Sequence, residues 1–313
     1  MKHIFITGAS GCVGHYVTEQ LLNANDDWHL HLLLRSTSNL KWIPESYPNV
    51  TVHFGNMDSI ERLADVLHQM DYVMHIFTDW SNSEYATLLN VTKTHQLFSL
   101  LDPDRIQRII YFSTASILGP GNQPIPQAGL YGPGYVRSKY YGFLKLTEHP
   151  LKSKIVTLFP TLVFGGDRSH PYSHISSGIL PNIRYLNILR FMYLDARFHF
   201  MHSSDIAQCA IHLLTAVNVK SQYVLGNSVM TGKDTIRELC EFFKIPVLFS
   251  IKVPVSVVFF VAKLLRITIA PWEKYCLENP YFQYDVVAPS DFGLTTRFPN
   301  LRSVLRNLVN ENE

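Results

Sequence analysis

Charge and cysteine are scarce in this chain, and each shortage excludes something. Asp, Glu, Lys and Arg make up 17% of its 313 residues, and the formal net charge is +2 with histidine neutral. So small an excess argues against nucleic acid or an acidic lipid surface as the main partner. The four cysteines, Cys12, Cys209, Cys240 and Cys276, include no pair with the close spacing of a metal knuckle or redox motif. They read as reduced thiols, which predicts a cytoplasmic protein. A basic N-terminal region followed by a long apolar stretch is missing, so no signal peptide is expected. An uninterrupted apolar run of about 20 residues, the length a spanning helix needs, is missing too. The most hydrophobic segment, 253–270 (VPVSVVFFVAKLLRITIA), is broken by Lys263 and Arg266 and bracketed by Pro254 and Pro271. It reads as a buried helix of a C-terminal lobe. A helix that rests on a membrane or lines an apolar substrate pocket is the sharper reading kept beside it. Histidine is plentiful at 14, with His29 and His31 alternating and His199 and His202 three apart. No acid or cysteine cluster of ligand spacing accompanies them, so no metal is expected.

What is present is an apolar supply, 47% of residues, ample for a large core. Strand and helix patterns alternate through the first half, which predicts a parallel sheet with helices on both faces. Strands are expected at 4–7, 29–34, 50–54, 72–76, 108–113 and 155–159. Helices are expected at 12–23, 59–69 (capped by Asp58-Ser59), 83–101 and 135–149. After Pro160 the texture shifts to loops at 165–181. A helix at 205–217, a short strand at 223–225, a helix at 235–243 opened by residues 231–234, and a terminal amphipathic helix at 300–308 follow. The fold class is α/β: a Rossmann doubly wound parallel sheet with a smaller C-terminal substrate-binding lobe. Residues 1–160 form the nucleotide-binding domain and 161–313 mainly the substrate lobe, with the chain returning to the first domain near 195–225.

Three constellations carry chemistry. The first is MKHIFITGASGCVG at 1–14, a compact apolar strand running into Gly8, Gly11 and Gly14 and then a helix. That order builds the front edge of a dinucleotide site: a tight turn, a backbone open to pyrophosphate, and a helix close to the strand. A glycine turn that binds nothing is the plain alternative. Near the place where such folds carry an acid for the ribose hydroxyls, Arg35 follows the second strand. An arginine pairs with a 2′-phosphate that an acid would repel, so NADP(H) is expected over NAD(H). A merely solvated arginine is the competing reading. The second constellation is Tyr135-Val136-Arg137-Ser138-Lys139, which places phenol and ammonium one turn apart on a helix. A nearby ammonium lowers a phenol's pKa and fits it to move a proton at an alcohol or carbonyl oxygen. An amphipathic surface helix would show the same spacing. The third is Ser113-Thr114 at the end of the fifth strand, where a hydroxyl could bind a substrate oxygen or simply cap a turn.

In this order the chain resembles the extended short-chain dehydrogenase/reductases, the superfamily of NAD-dependent epimerases and dehydratases, in its dihydroflavonol-reductase-like and 3β-hydroxysteroid-dehydrogenase-like branch. The matching pieces are TGASGCVG at 7–14, GNMDSIERLADVL at 55–67, MHIFT at 74–78, NVTKTHQLF at 90–98, YFSTASILG at 111–119, YVRSK at 135–139, FPTLVFGG at 159–166 and FHFMHSSDIA at 198–207. The resemblance implies Tyr135 as acid/base, Lys139 as its partner and a ribose ligand, and Thr114 as the hydroxyl that orients substrate. It implies Gly8, Ser10, Gly11, Cys12, Val13 and Gly14 around the pyrophosphate, Asn56 and Met57 at the adenine, Phe77 and Pro160 beside the cofactor, and Asn90 on a helix lining the site. Several positions depart from the pattern. Asn56 stands where the family usually has Asp, Phe77 where it has a small residue, and Phe159 where an arginine is frequent. Phe198 stands where nucleotide-sugar enzymes carry arginine, although Arg197 is adjacent. The implied function is an NADP(H)-dependent oxidoreductase moving hydride between nicotinamide and a carbonyl or secondary alcohol of a small apolar substrate. A nucleotide-sugar epimerase or dehydratase with tightly held NAD(P), and a non-catalytic NADP(H)-binding sensor or assembly factor, are the alternatives. Family members are often dimers through helices of the first domain, which leaves a homodimer open.

Overall fold

Eight strands form one sheet: β1 (Lys2–Thr7), β2 (Trp28–Leu34), β3 (Val50–Phe54), β4 (Tyr72–His75), β5 (Arg108–Phe112), β6 (Ile155–Pro160), β7 (Gln222–Leu225) and β8 (Val286–Val287). Their spatial order is β8-β7-β6-β5-β4-β1-β2-β3, and every pairing is parallel. The structure, a computed structural model, describes residues 1–24, 27–81 and 84–310. The central strands are continuous apolar runs (Ile4, Phe5 and Ile6; Val73 and Met74; Ile109 and Ile110), all fully buried, as a sheet covered on both faces requires. β2 alternates instead. Trp28, Leu30 and Leu32 enter the core, while His31 on the other face bridges His3 of β1 at 2.9 Å and His53 of β3 at 3.0 Å. The histidines thus form a cross-strand row rather than a cluster about one point.

One face of the sheet is covered by α1 (Cys12–Leu22) and the later helix Ser203–Thr215, through Tyr16, Val17 and Leu21 against Ile206, Ala210 and Leu213. On the other face, Leu97 and Phe98 of the helical stretch 84–99 pack with Leu146 of α2 (Gly134–Thr147) onto Phe5 and Ile109. Each such buried side chain contributes about 1.5–3 kcal/mol. The strand order turns back between β1 and β4, which makes their carboxyl ends the crevice where ligands of such sheets lie.

The seven expected strands fall within a residue or two of their expected limits, but β8 (Val286–Val287), which extends the sheet beyond β7, was not expected. The other corrections concern helices. Residues 57–67 are a 3₁₀ turn (Met57–Leu63) followed by one α turn (Ala64–Leu67), with Asn56 at the N-cap rather than Asp58-Ser59. Ser59 breaks the helical backbone, and burial of only Met57, Ile60 and Leu67 holds the segment without a long apolar stripe. The helix expected at 83–101 runs over 84–99, its first expected residue lying outside the described residues, and a π-helical turn occupies Leu88–Lys93. The stretch 165–181 is not all loop, since α3 (His174–Asn182) starts there with the Ser173 hydroxyl accepting from the Ser176 amide. The helix near 205–217 is α4 (Ser203–Thr215), and that near 235–243 is α5 (Gly232–Phe242), capped by Thr231. The segment 253–270 is not a buried helix. It forms α6 (Val255–Leu264), in which Ala262 alone is buried.

Candidate active site

Gly8 ends β1 with φ +80°, and a Cβ there would lie 2.7 Å from the Phe77 amide nitrogen. A side chain is excluded by both conformation and space. Gly11 is the N-cap of α1, and its amide donates to the Gly8 carbonyl at 3.0 Å. A Cβ on Gly14 would fall 2.1 Å from that same carbonyl oxygen, so only glycine lets α1 approach β1 this closely. No side chain caps α1, which leaves the first-turn amides of Cys12 and Val13 for an anion. Ser10 is half-buried beside them. The Cys12 thiol lies 3.1 Å from the Ser203 hydroxyl, and burial pushes it up to about 11. It is a neutral, small side chain filling the turn. This cradle fits a pyrophosphate.

Arg35 follows β2 directly and is exposed, with no ion pair among the described residues. Its charge and that of Asp58 both act on the Tyr85 phenol, which Asp58 pushes up. Asn56 is exposed and donates to Asp58 at 3.2 Å, while Met57 is buried in the core beside Phe5 and Leu33. Arg35, Asn56, Asp58 and Tyr85 therefore gather beyond β2. Tyr85 was not legible in sequence, because it arrives from the 84–99 helix. Phe77 abuts Gly8 through its backbone and donates its amide to Thr7 Oγ1 at 3.3 Å. Pro160 is buried at the end of β6, paired with Leu225.

Tyr135 and Lys139 share one face of α2, beyond the end of β5. Lys139 is almost fully buried. Its Nζ donates to the Phe112 carbonyl at 2.7 Å and stands 5.1 Å from the centre of the Tyr111 ring. Burial lowers its ammonium to about 7. Thr114 is the hydrogen-bonding neighbour of the Tyr135 phenol, and its hydroxyl accepts from the Ser116 amide, so the capping reading of Thr114 is met. The expectation that Lys139 depresses the Tyr135 pKa is corrected. Burial pushes the phenol up to about 12, and the Thr114 hydrogen bond offsets only part of that. A lysine that has itself lost much of its charge gives a phenolate little support. Ser113 Oγ is buried without a partner among the described residues.

Two contributors, Trp80 and His75, had no sequence signal, and a third, Asn90, was expected on a helix lining the site. Trp80 stacks on Tyr135 with ring centres 3.9 Å apart and meets His174 edge-on at 5.0 Å. Asn90, inside the π turn, accepts from the Asp79 amide and donates to the Asp79 carbonyl and to Ser138, at 2.8, 2.8 and 3.0 Å. The wider turn thereby ties the loop after β4 to the helix that carries Tyr135. His75 is fully buried between Thr7 and Thr94, at 2.8 and 3.0 Å, and stacks on Tyr111. Burial lowers it to about 3, so it is neutral.

A glycine cradle at the switch point of a parallel sheet, with a Thr–Tyr–Lys group beside it, defines a dinucleotide-dependent class of α/β protein. Residues 4–226 match the NAD dependent epimerase/dehydratase family, and the chain belongs to that family. No relative among curated proteins matches the sequence. Among solved structures the fold is similar to gox2253 (20% identity, TM-score 0.71, covering 99% of this chain and 97% of that one). It is similar to the dTDP-glucose 4,6-dehydratase of Bacillus anthracis in complex with NAD (14%, TM-score 0.68, 100% and 98%). It also resembles the UDP-N-acetylglucosamine 4-epimerase of Methanobrevibacter ruminantium in complex with UDP-N-acetylmuramic acid (15%, TM-score 0.63, 99% and 96%).

Proposed function

We propose that this protein is an NADP(H)-dependent oxidoreductase acting on a carbonyl or secondary alcohol of a small, apolar substrate. The observation that carries the cofactor choice is Arg35, exposed and free of an ion pair at the end of β2, where an NAD-binding fold carries an acid. Residues 1–160 hold the cofactor through Gly8, Ser10, Gly11, Cys12, Val13, Gly14, Asn56, Met57, Phe77 and Pro160, and the lobe 161–313 mainly shapes the substrate cleft. When bound, the nicotinamide supplies or accepts the hydride at the substrate carbon. Tyr135 gives its proton to the carbonyl oxygen on reduction and recovers it on oxidation. Its raised pKa keeps the phenol protonated near neutrality, which suits the reductive direction. Thr114 steadies the reacting oxygen, and Lys139 holds the ribose.

Affinities for NADPH and NADH test the cofactor assignment. A paired guanidinium–phosphate contact is worth about tenfold to a hundredfold, so NADPH should bind more tightly by that margin and Arg35→Ala should erase it. Equal affinities in the native protein reject the assignment. Tyr135→Phe should lower turnover by about 10²–10⁴-fold with NADPH binding kept. Retained turnover rejects the role of Tyr135.

A second reading, a nucleotide-sugar epimerase or dehydratase, is favoured by the dehydratase and the epimerase among the similar structures. Copurified nicotinamide nucleotide, with sugar-nucleotide turnover and no net consumption of NADPH, would establish it in place of the first.

A further inference from the structure

The segment expected to be buried is the most exposed apolar part of the molecule. On α6 and the turn after it, Phe260 is 67% exposed, Leu264 70%, Leu265 62% and Ile267 58%. Further exposed apolar side chains precede the helix, on a small parallel ribbon in which Ile251 pairs with Met192, both exposed, and at Leu248, 85% exposed. Nearly half of the exposed large apolar side chains among the described residues lie in 185–192 and 247–267. The inner side of α6 is engaged as well, since Val255 and Phe259 line a cavity of about 630 Å³ with Leu194, Phe198 and Phe282. The helix thus carries apolar side chains on both sides, one over a cavity and the other in water, with Lys263 near its end. Such a concentration of exposed apolar side chains marks an interaction site.

The segments that build the patch are rich in bases and poor in acids. No Asp or Glu occurs at 242–272 or at 168–194, while Lys244, Lys252, Lys263 and Arg266 fall in the first stretch. Lys252 is paired with Asp195, but Lys244, Lys263 and Arg266 have no carboxylate partner among the described residues. The near-neutral net charge conceals this, because the acids lie elsewhere in the chain. At 10 residues α6 is about 15 Å long, half the thickness of a bilayer's hydrocarbon core. Among the described residues no helix is long and apolar enough to cross a membrane.

We propose that this face docks the protein on an anionic phospholipid bilayer, with α6 lying in the interface plane. Phe260, Leu264 and Ile267 enter the boundary between headgroups and acyl chains, and Lys263 and Arg266 meet lipid phosphates. The apolar and basic faces complement such a surface in the way interfacial helices do. A second copy of the chain would satisfy the apolar side chains but would bring the same uncompensated cations together. The proposal is independent of the reading of the active site.

The test is sedimentation of the full chain with vesicles of phosphatidylcholine alone, or of phosphatidylcholine mixed with phosphatidylglycerol in about equal parts. The native protein should partition onto the mixed vesicles, weakly onto the neutral ones, and less in high salt. Lys263→Glu with Arg266→Glu should weaken partition by at least roughly thirtyfold, since each cation near the surface is worth about fivefold. Phe260→Ser with Leu264→Ser should abolish it. Melting curves report whether each variant is folded, and these exposed sites should tolerate the changes. Native protein that stays in solution with mixed vesicles overturns the proposal. So does a native dimer, seen by analytical ultracentrifugation, that Phe260→Ser with Leu264→Ser turns into monomers while vesicles bind nothing.

Discussion

Lys139 shows what one buried charge costs and why it is kept. Its ammonium has a carbonyl at 2.7 Å and an aromatic face at 5.1 Å but no carboxylate partner among the described residues, so burial dominates and lowers it to about 7. The unfolded chain holds this proton up to about 10.4. Between those values the unfolded state binds the proton that the native state has released, so stability rises with pH across that window. Below pH 7 the native state must carry a buried ammonium and bears the full penalty. Lys139→Met should therefore raise stability by about 1–4 kcal/mol at pH 6 while impairing catalysis. Urea unfolding checks this: the gain should shrink as pH rises from 7 to 10. A gain that is the same at both ends rejects the account. The four-residue spacing of Tyr135 and Lys139 was legible in sequence because a helix fixes it. The stacked Trp80 was not, because the contact joins two elements 55 positions apart in the chain.

Elements were legible where an apolar period was long and illegible where burial alone held a segment. Strands β1 to β7 were read to within a residue or two, since continuous apolar runs in a two-sided sheet leave few alternatives, whereas the two-residue edge strand β8 is too short to carry a pattern. The 3₁₀ turn at Met57–Leu63 and the π turn at Leu88–Lys93 carry no pattern that separates them from α-helix. The reading of 253–270 failed because hydrophobicity reports a need for cover, and in this fold much of α6 has none. Helix ends offer a direct test. After α5, Lys244 has φ +55°, and the Ile245 amide bonds back to the Cys240 carbonyl, the left-handed cap in which glycine is favoured. Lys244→Gly should stabilise the protein by about 0.5–1 kcal/mol, because a side chain in this conformation costs roughly that much or more. A urea midpoint unchanged or lowered in the variant would contradict this.

Across the whole molecule, buried histidines set a common pH limit. His75 and His202 are each about 1% exposed, and burial lowers both to about 3. The unfolded histidines bind protons near 6.5, so from there down to 3 the unfolded state takes up protons that the native state refuses. The histidines' contribution to stability is full above 6.5 and falls by about 3 kcal/mol per pH unit for the pair. The urea midpoint should drop steeply from pH 7 to pH 5, and a flat profile over that range would reject the assignment. The same scale divides what the sequence determined from what the fold decided. Residues 1–14 by themselves fix a strand, a glycine turn and a helix, because local sterics and chain period leave no other arrangement for Gly8, Gly11 and Gly14. Arg35 and the Tyr135–Lys139 pair are local in the same sense. Their protonation, the histidine row, the packing of Trp80 on Tyr135 and the exposure of α6 depend on which distant segments meet. Desolvation and contact are properties of the assembled structure, so only the tertiary fold decided that Lys139 loses charge, that Tyr135 keeps its proton, and that an apolar helix faces outward.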